Sequence, residues 1–233
     1  LTPSPAITAY AAGQQFRFIA GSSNTGAVTV NVSGLGAKSI TKNGTAALTV
    51  GDIIAGMIVT VTYDGTRFVM LRNRIQALGS QSASGTSIDL TFPSGIRRIT
   101  VFFFNISTNG TSPLLVQIGD SGGIETSSYA SASTLTVSGG ATAGQNSTAG
   151  YILASVLAAN VLQGKVILDN ADNDLSGQTW MASGILMRLA GNSEVMTMAG
   201  IKVLSAELTT VRITTVNGTD TFDGGIFLAT YEY

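Results

Sequence analysis

The sequence predicts an all-β protein on three observations: turn dipeptides, period-two alternation and a regular spacing of short strands. Five Asn-Gly or Asp-Gly pairs, Asn43-Gly44, Asp64-Gly65, Asn109-Gly110, Asn217-Gly218 and Asp223-Gly224, lie beside apolar or alternating runs. Two residues at positive φ give the type I′ turn whose twist matches its flanking strands, so these pairs predict antiparallel hairpins. Val28, Val30 and Val32 alternate with Thr29 and Asn31, and Val59, Val61 and Tyr63 with Thr60 and Thr62. That period puts one set of side chains on a core face.

In order, the first part predicts strands over Phe16 to Ala20, Val28 to Val32, Leu48 to Val50, Ile58 to Tyr63 and Arg67 to Leu71. A module of about 60 residues buries only about 60% of its unfolded surface, so an oligomer would supply the missing burial. Residues 73–85, NRIQALGSQSASG, lose the pattern and read as a linker. The predicted organisation is therefore a small β module over 1–72, a linker over 73–85 and a larger β module over 86–233. The second module predicts nine or ten strands, among them Ile99 to Ile106, Leu114 to Ile118, Leu162 to Leu168, Thr179 to Leu189, Val195 to Val203, Leu208 to Val216 and Ile226 to Tyr231. This spacing suggests a β-sandwich of jelly-roll type. Phe102, Phe103 and Phe104 read as a strand covered on both faces. Tyr151 to Leu162 fits either a strand or a short helix.

Composition narrows the chemistry. Of 233 residues 44% are apolar, enough for a core, while only 11% are charged; Ser, Thr and Gly make up about a third. Such a surface is solvated by hydroxyls and tolerates burial in an assembly. Twelve basic and thirteen acidic residues, spread without runs, give no electrostatic footprint for nucleic acid or an anionic membrane. No apolar run approaches a membrane span, and Leu1 is not followed by a signal-peptide pattern, so the chain reads as a fragment of something longer. With no Cys and no His, thiol chemistry, disulfides and the usual general base are absent. The expectation is a protein that is not an enzyme and carries no cofactor.

Gly119 to Gly123 spells GDSGG, the pentapeptide around a serine-protease nucleophile, but that chemistry needs a His, so a tight inter-strand loop is the reading. In DNADND, Asp169 to Asp174, the positions Asn170, Asp172 and Asp174 match the start of a calcium loop. Leu175 stands where Gly is needed and Met181 where the bidentate Glu belongs, so no metal is predicted; a solvated loop able to hydrogen-bond a sugar is. The single Trp180 begins a long strand and is expected in the core or in a subunit contact. Tyr129 and Tyr151 are the aromatic side chains expected to be exposed, flanking the long charge-free loop Ser138 to Gly150. The carboxylates Asp120, Glu125, Asp169, Asp172, Asp174, Glu194, Glu207, Asp220, Asp223 and Glu232 offer no marked pair for glycan hydrolysis.

Tyr10 to Ile40, YAAGQQFRFIAGSSNTGAVTVNVSGLGAKSI, and Leu48 to Leu71, LTVGDIIAGMIVTVTYDGTRFVML, resemble the small repeated β modules of bacteriophage tail fibres. Ser107 to Tyr129, Thr179 to Leu186 and the terminal YEY resemble the C-terminal, receptor-binding part of such fibres. The resemblance implies a parallel homotrimer located in the virion, at the distal part of the fibre, that recognises a bacterial surface glycan or outer-membrane protein, without inserting into the membrane. The receptor-binding candidates are Tyr129, Gln145, Asn146, Tyr151, Asp169, Asn170, Asp172 and Asn173. A fibre-borne polysaccharide depolymerase is the alternative, as is a virion structural protein or adhesin with no receptor role.

Overall fold

The computed structural model describes residues 1–42, 44–70, 75–137, 140, 142–155, 158, 160–172, 178–189 and 193–233. It is all-β, with no helix among the described residues, and divides into two compact units, Leu1–Asn73 and Arg74–Tyr233. In the first unit, β1 (Gln15–Ile19), β2 (Val28–Val30), β3 (Lys38–Lys42), β4 (Ala46–Ala47), β5 (Ile58–Tyr63) and β6 (Phe68–Met70) form one sheet ordered β1-β5-β6-β3-β2, with β4 on β3. Val30, Val32, Val59, Val61 and Tyr63 are buried, as their alternation predicts. Phe68 anchors this small core, with the rings of Tyr10, Phe16 and Tyr63 packed around it at centroid distances of 5.4, 5.7 and 5.1 Å. A buried Lys42–Asp52 pair at 2.7 Å, bridged by Thr49, fixes the loop before β5.

Two expectations change here. Leu48 to Val50 is not a strand: Leu48 turns into the core and Val50 outward, and the pairing falls on β4 instead. The unpredicted β3, KSITK, carries one aliphatic residue; it is placed by pairing parallel to β6, Ile40 opposite Phe68, rather than by its own pattern.

The second unit comprises β7 (Ile75–Ala77), β8 (Gln81–Ser82), β9 (Ser87–Thr91), β10 (Arg98–Thr108), β11 (Pro113–Asp120), β12 (Gly123–Ile124), β13 (Ala130–Thr136), β14 (Thr142–Ser147), β15 (Tyr151–Ser155), β16 (Val161–Asn170), β17 (Thr179–Leu189), β18 (Ser193–Val203), β19 (Thr210–Thr215) and β20 (Phe222–Glu232). A nine-stranded sheet runs β14-β13-β18-β17-β16-β10-β20-β7, with β8 also on β20; a five-stranded sheet runs β12-β11-β19-β9, with β15 on β11. One core lies between them. Phe103, Val166, Leu168, Trp180 and Leu186 enter it from the larger sheet, and Val116, Ile118, Val211 and Ile213 from the smaller. Trp180 is thus a core residue, as expected.

The predicted linker is not a spacer. From Leu78 to Gly85 its backbone bonds repeatedly to β20, through Leu78 to Ala229, Ala83 to Gly225 and Phe222 to Gly85, so small polar residues here mark a sheet edge. Tyr151 to Ser155 is strand, and Thr142–Ser147 pairs with β13, so the long loop expected over Ser138 to Gly150 is largely a hairpin arm. Ser138, Gly139, Ala141, Asn43 and Leu71 lie outside the described residues.

The type I′ expectation also fails. The described non-glycine residues at positive φ are Ser33, Asn105 and Ser128, so Asp64, Asn109, Asn217 and Asp223 are not among them. The side-chain oxygen explains two of these turns. Asp64 Oδ1 accepts from the amides of Thr66 and Arg67 at 2.8 Å, and Asn217 Oδ1 from those of Thr219 and Asp220 at 3.1 Å, leaving only Gly65 and Gly218 left-handed. Asp223-Gly224 sits inside β20, beside a bulge. There the register with β10 shifts after Phe104, and a Cβ on Gly225, at φ +94°, would lie 2.4 Å from the Asn105 carbonyl oxygen. Gly225→Ala is therefore expected to cost about 2–4 kcal/mol in urea unfolding, against no more than about 0.5 kcal/mol for Gly79→Ala, whose added methyl meets nothing.

Candidate functional site

The eight predicted site residues do not converge. Tyr129 and Tyr151, expected to be exposed, are 3% and 0% exposed. Their rings meet edge to face at 5.1 Å in the core. The Tyr129 hydroxyl accepts from the amide of Ile118 at 2.8 Å and lies 3.0 Å from the Glu125 carbonyl, to which it donates. Tyr151 donates to the Trp180 carbonyl at 2.8 Å. Burial pushes both phenols well above the ordinary tyrosine range, so both stay protonated. Lys202, itself buried, pairs with Glu125 and sits 5.3 Å from the Tyr129 ring centroid. This cluster holds the fold together and presents nothing to a receptor.

Asp169, Asn170 and Asp172 do lie together, at the end of β16, but their oxygens are engaged within the fold, Asp169 with β10, Asn170 with its own turn and Asp172 with the start of β17. Asp169 Oδ1 accepts from Arg98 Nε at 2.6 Å, Asn170 Oδ1 from the Asp172 amide at 3.0 Å, and Asp172 Oδ2 from the Thr179 amide at 2.6 Å. Arg97 donates to the Asp172 carbonyl. Asn173 and Asp174 lie outside the described residues. Gln145 and Asn146 stand on the edge strand β14, opposite Ser133 and Ala132 and on alternate faces. Four strand spacings, about 19 Å, separate β14 from β16. No group of three or more Asp, Glu, His or Cys suited to a metal occurs among the described residues.

The other carboxylates are similarly engaged. In GDSGG, Asp120 Oδ1 accepts from the Gly122 amide at 2.7 Å, and Oδ2 from the Ser205 hydroxyl at 2.6 Å and the Ala206 amide at 2.9 Å. These donors, Ser205 first, hold the Asp120 carboxyl below its usual range. Ser121 is exposed at the tip of the β11–β12 turn, so the loop reading stands. Asp220 accepts from Asn217 Nδ2 at 2.6 Å and from the Ser112 amide at 2.9 Å. Glu194 pairs with Arg188, Asp223 accepts from the Ser107 hydroxyl, and Glu207 from the Gly95 amide.

The outer faces of the two sheets have opposite chemistry. On the smaller sheet, Ile88, Val211, Ile213 and Val116 point to the core, which sends Asp89, Arg212, Thr214 and Gln117 to the other side. One row across β9, β19 and β11 reads Asp89, Arg212, Gln117, and the next reads Ser87, Thr214, Leu115. Of these, Arg212, Gln117, Ser87, Thr214 and Leu115 line a trough of about 410 Å³ that extends to Thr126 and Asn217. Arg212 grips Asp89 through two bonds of 2.7 Å. Gln117 donates its amide to the Ala149 carbonyl at 2.9 Å, and Thr214 its hydroxyl to that of Thr86 at 2.9 Å. The trough thus carries no net charge and an array of fixed hydroxyl, amide and guanidinium groups. Sequence reasoning missed it; the signal was the alternation of Thr210, Arg212 and Thr214 with Val211 and Ile213. On the larger sheet, Met181, Ile185, Met187, Val195, Ile201 and Val203 are exposed. The Phe102–Phe104 run is likewise one-sided, with Phe103 in the core and Phe104 exposed, contrary to the expectation of cover on both faces.

Compared with protein-family models, curated proteins and solved structures, the chain matches none.

Tyr129→Phe is expected to lower stability by about 1–3 kcal/mol, because the Ile118 amide loses its partner inside the core, as calorimetry would read. Asp120, with its native pKa lowered, contributes stability that is complete above about pH 4, its unfolded value, and is lost as pH falls through the native one. The stability gap between wild type and Asp120→Asn is therefore expected to be widest near neutrality and to shrink below about pH 4 in urea titrations.

Proposed function

We propose that this chain is the distal part of a bacteriophage tail fibre, a homotrimer whose second unit, a jelly-roll-like tip, adsorbs the virion to its host by binding a surface glycan. The observation that carries the reading is the hydroxyl- and amide-lined trough on the smaller sheet, whose one charged lining group, Arg212, is paired with Asp89. A neutral sugar presents alternating donors and acceptors without charge, which suits Gln117, Thr214 and a guanidinium already neutralised by Asp89. A phosphate or a cation would have to displace one half of that pair. The tail-fibre resemblance supplies the biological setting, and the charge-poor composition fits a virion protein built for assembly. Carboxylates tied into turns and ion pairs favour binding over hydrolysis. Three copies of a weak site raise avidity far above that of each one.

The test is adsorption to host cells, and to their isolated surface polysaccharide, by the double variant Asp89→Ala, Arg212→Ala. An exposed ion pair is worth about 0–1 kcal/mol, so the variant is expected to fold, and its adsorption to fall at least tenfold. Unchanged adsorption would remove the trough as the receptor site, and release of reducing ends from the polysaccharide would favour the depolymerase reading.

A further inference from the structure

The larger sheet turns a second apolar face to solvent. Read across the strands, one row is Leu228, Phe102, Lys165, Ile185, Thr197 and Thr134. The next is Thr230, Thr100, Ile167, Ser183, Ala199 and Ala132. Beyond it, Glu232, Arg98 and Asp169 continue into Met181 and Ile201. Ile185 is 64% exposed and Val203 60%, and the rings of Phe102 and Phe104 lie stacked on the same face at 6.2 Å. Lys165 is the one charged residue in the two central rows.

We infer that this face is the surface through which copies of the chain bind one another. The inference deepens the homotrimer reading above and rests on it. Area is the first argument. The exposed large apolar side chains of this sheet, Ile226 beside Phe104 among them, are about half exposed each and present on the order of 600 Å², at the upper limit for a monomer and close to the ~800 Å² that each partner buries in a stable complex. A face of that size on a chain with 11% charged residues needs permanent cover. A second copy is the partner always present at equal concentration.

Charge is the second argument. The central rows carry a single charge, Lys165, whereas the end row carries both signs, Arg98 with Asp169 at 2.6 Å and Glu232 at 4.0 Å. A mixed row of that kind is self-complementary, since Arg98 of one copy can face Asp169 or Glu232 of the next. Alternating aliphatic and hydroxyl positions, Ile185 beside Thr197 and Ile167 beside Ser183, can pack against their own kind.

The experiment measures solution mass by light scattering for wild type, for Ile185→Lys with Met187→Lys, and for Thr126→Lys, in the exposed loop after β12 beside the trough, as control. The expected result is an oligomer for wild type and control and a single-chain mass for the double variant, with an unchanged β-sheet circular dichroism spectrum. Because the double variant could instead misfold, a single cysteine at Ser183 in this cysteine-free chain gives a second readout. Its maleimide labelling is expected to be at least tenfold slower than that of a cysteine at Thr126. An oligomer that survives both lysines and labels equally fast at the two positions overturns the inference while leaving the homotrimer reading in place. A wild-type mass of one chain at all concentrations overturns both.

Discussion

A sheet has two faces, and a strand cannot bury one set of side chains without directing the other set away from it. In the second unit, strands of ten and eleven residues commit Leu168, Trp180, Leu186, Met196, Met198 and Phe227 to the core, and so fix which residues stand outside. A one-residue slip of β17 would exchange Trp180 and Leu186 for Met181 and Met187. Both sets are apolar, so hydrophobicity alone specifies this register weakly. Shape and local bonds complete it. The Cβ that Gly184 lacks would meet Met198 Cγ at 2.9 Å, and Tyr151 ties its hydroxyl to the carbonyl of Trp180.

With few charges available, the ends of the strands are secured by side-chain oxygens on backbone amides. Asp64, Asp120, Asp172, Asn217 and Asp220 each accept from amides of a turn, and Asn24 joins three segments of the first unit, accepting from Ile53 and donating to Gly26 and Thr49. Each such bond satisfies a donor that the ladder leaves open, worth about 1 kcal/mol net and more when its loss would leave a buried amide unpaired. Tyr129 does the same for β11 from inside the core. The residues most conspicuous to a search for ligands are therefore the ones the fold consumes.

That consumption explains what was legible in the sequence. The all-β class, most of the long strands and the core position of Trp180 followed from period-two alternation, which reports a face and needs no partner to be read. β3 and the strands within residues 73–85 did not, because each is placed by a neighbouring strand, β6 or β20, and carries little pattern of its own. The site candidates fared worse for a different reason. Tyrosines and Asn-Asp clusters beside Gly-rich stretches suit exposed loops and buried caps equally, and only tertiary burial distinguishes Tyr129 as a cap from Tyr129 as a platform. The trough was written in β19 all the same, as polar residues alternating with Val211 and Ile213, but a polar face reads as ordinary solvated surface until three strands bring Asp89, Arg212 and Gln117 into one row.

The two outer faces bear on each other. An apolar sheet face that is covered by self-association is removed from water, and the surface left for recognition is then the opposite one, where hydroxyls and an internally neutralised ion pair lie across β9, β19 and β11. Their separation has a physical advantage. In the proposed arrangement apolar cover could be optimised on one sheet while the other varied in the side chains offered to a ligand, because the core between them, Phe103 and Val166 against Val116 and Ile213, separates the two faces. Under the proposed function, weak binding at each polar trough would suffice, since adhesion would be set by the number of troughs held together, and the proposed interface on the other side of the unit would decide that number.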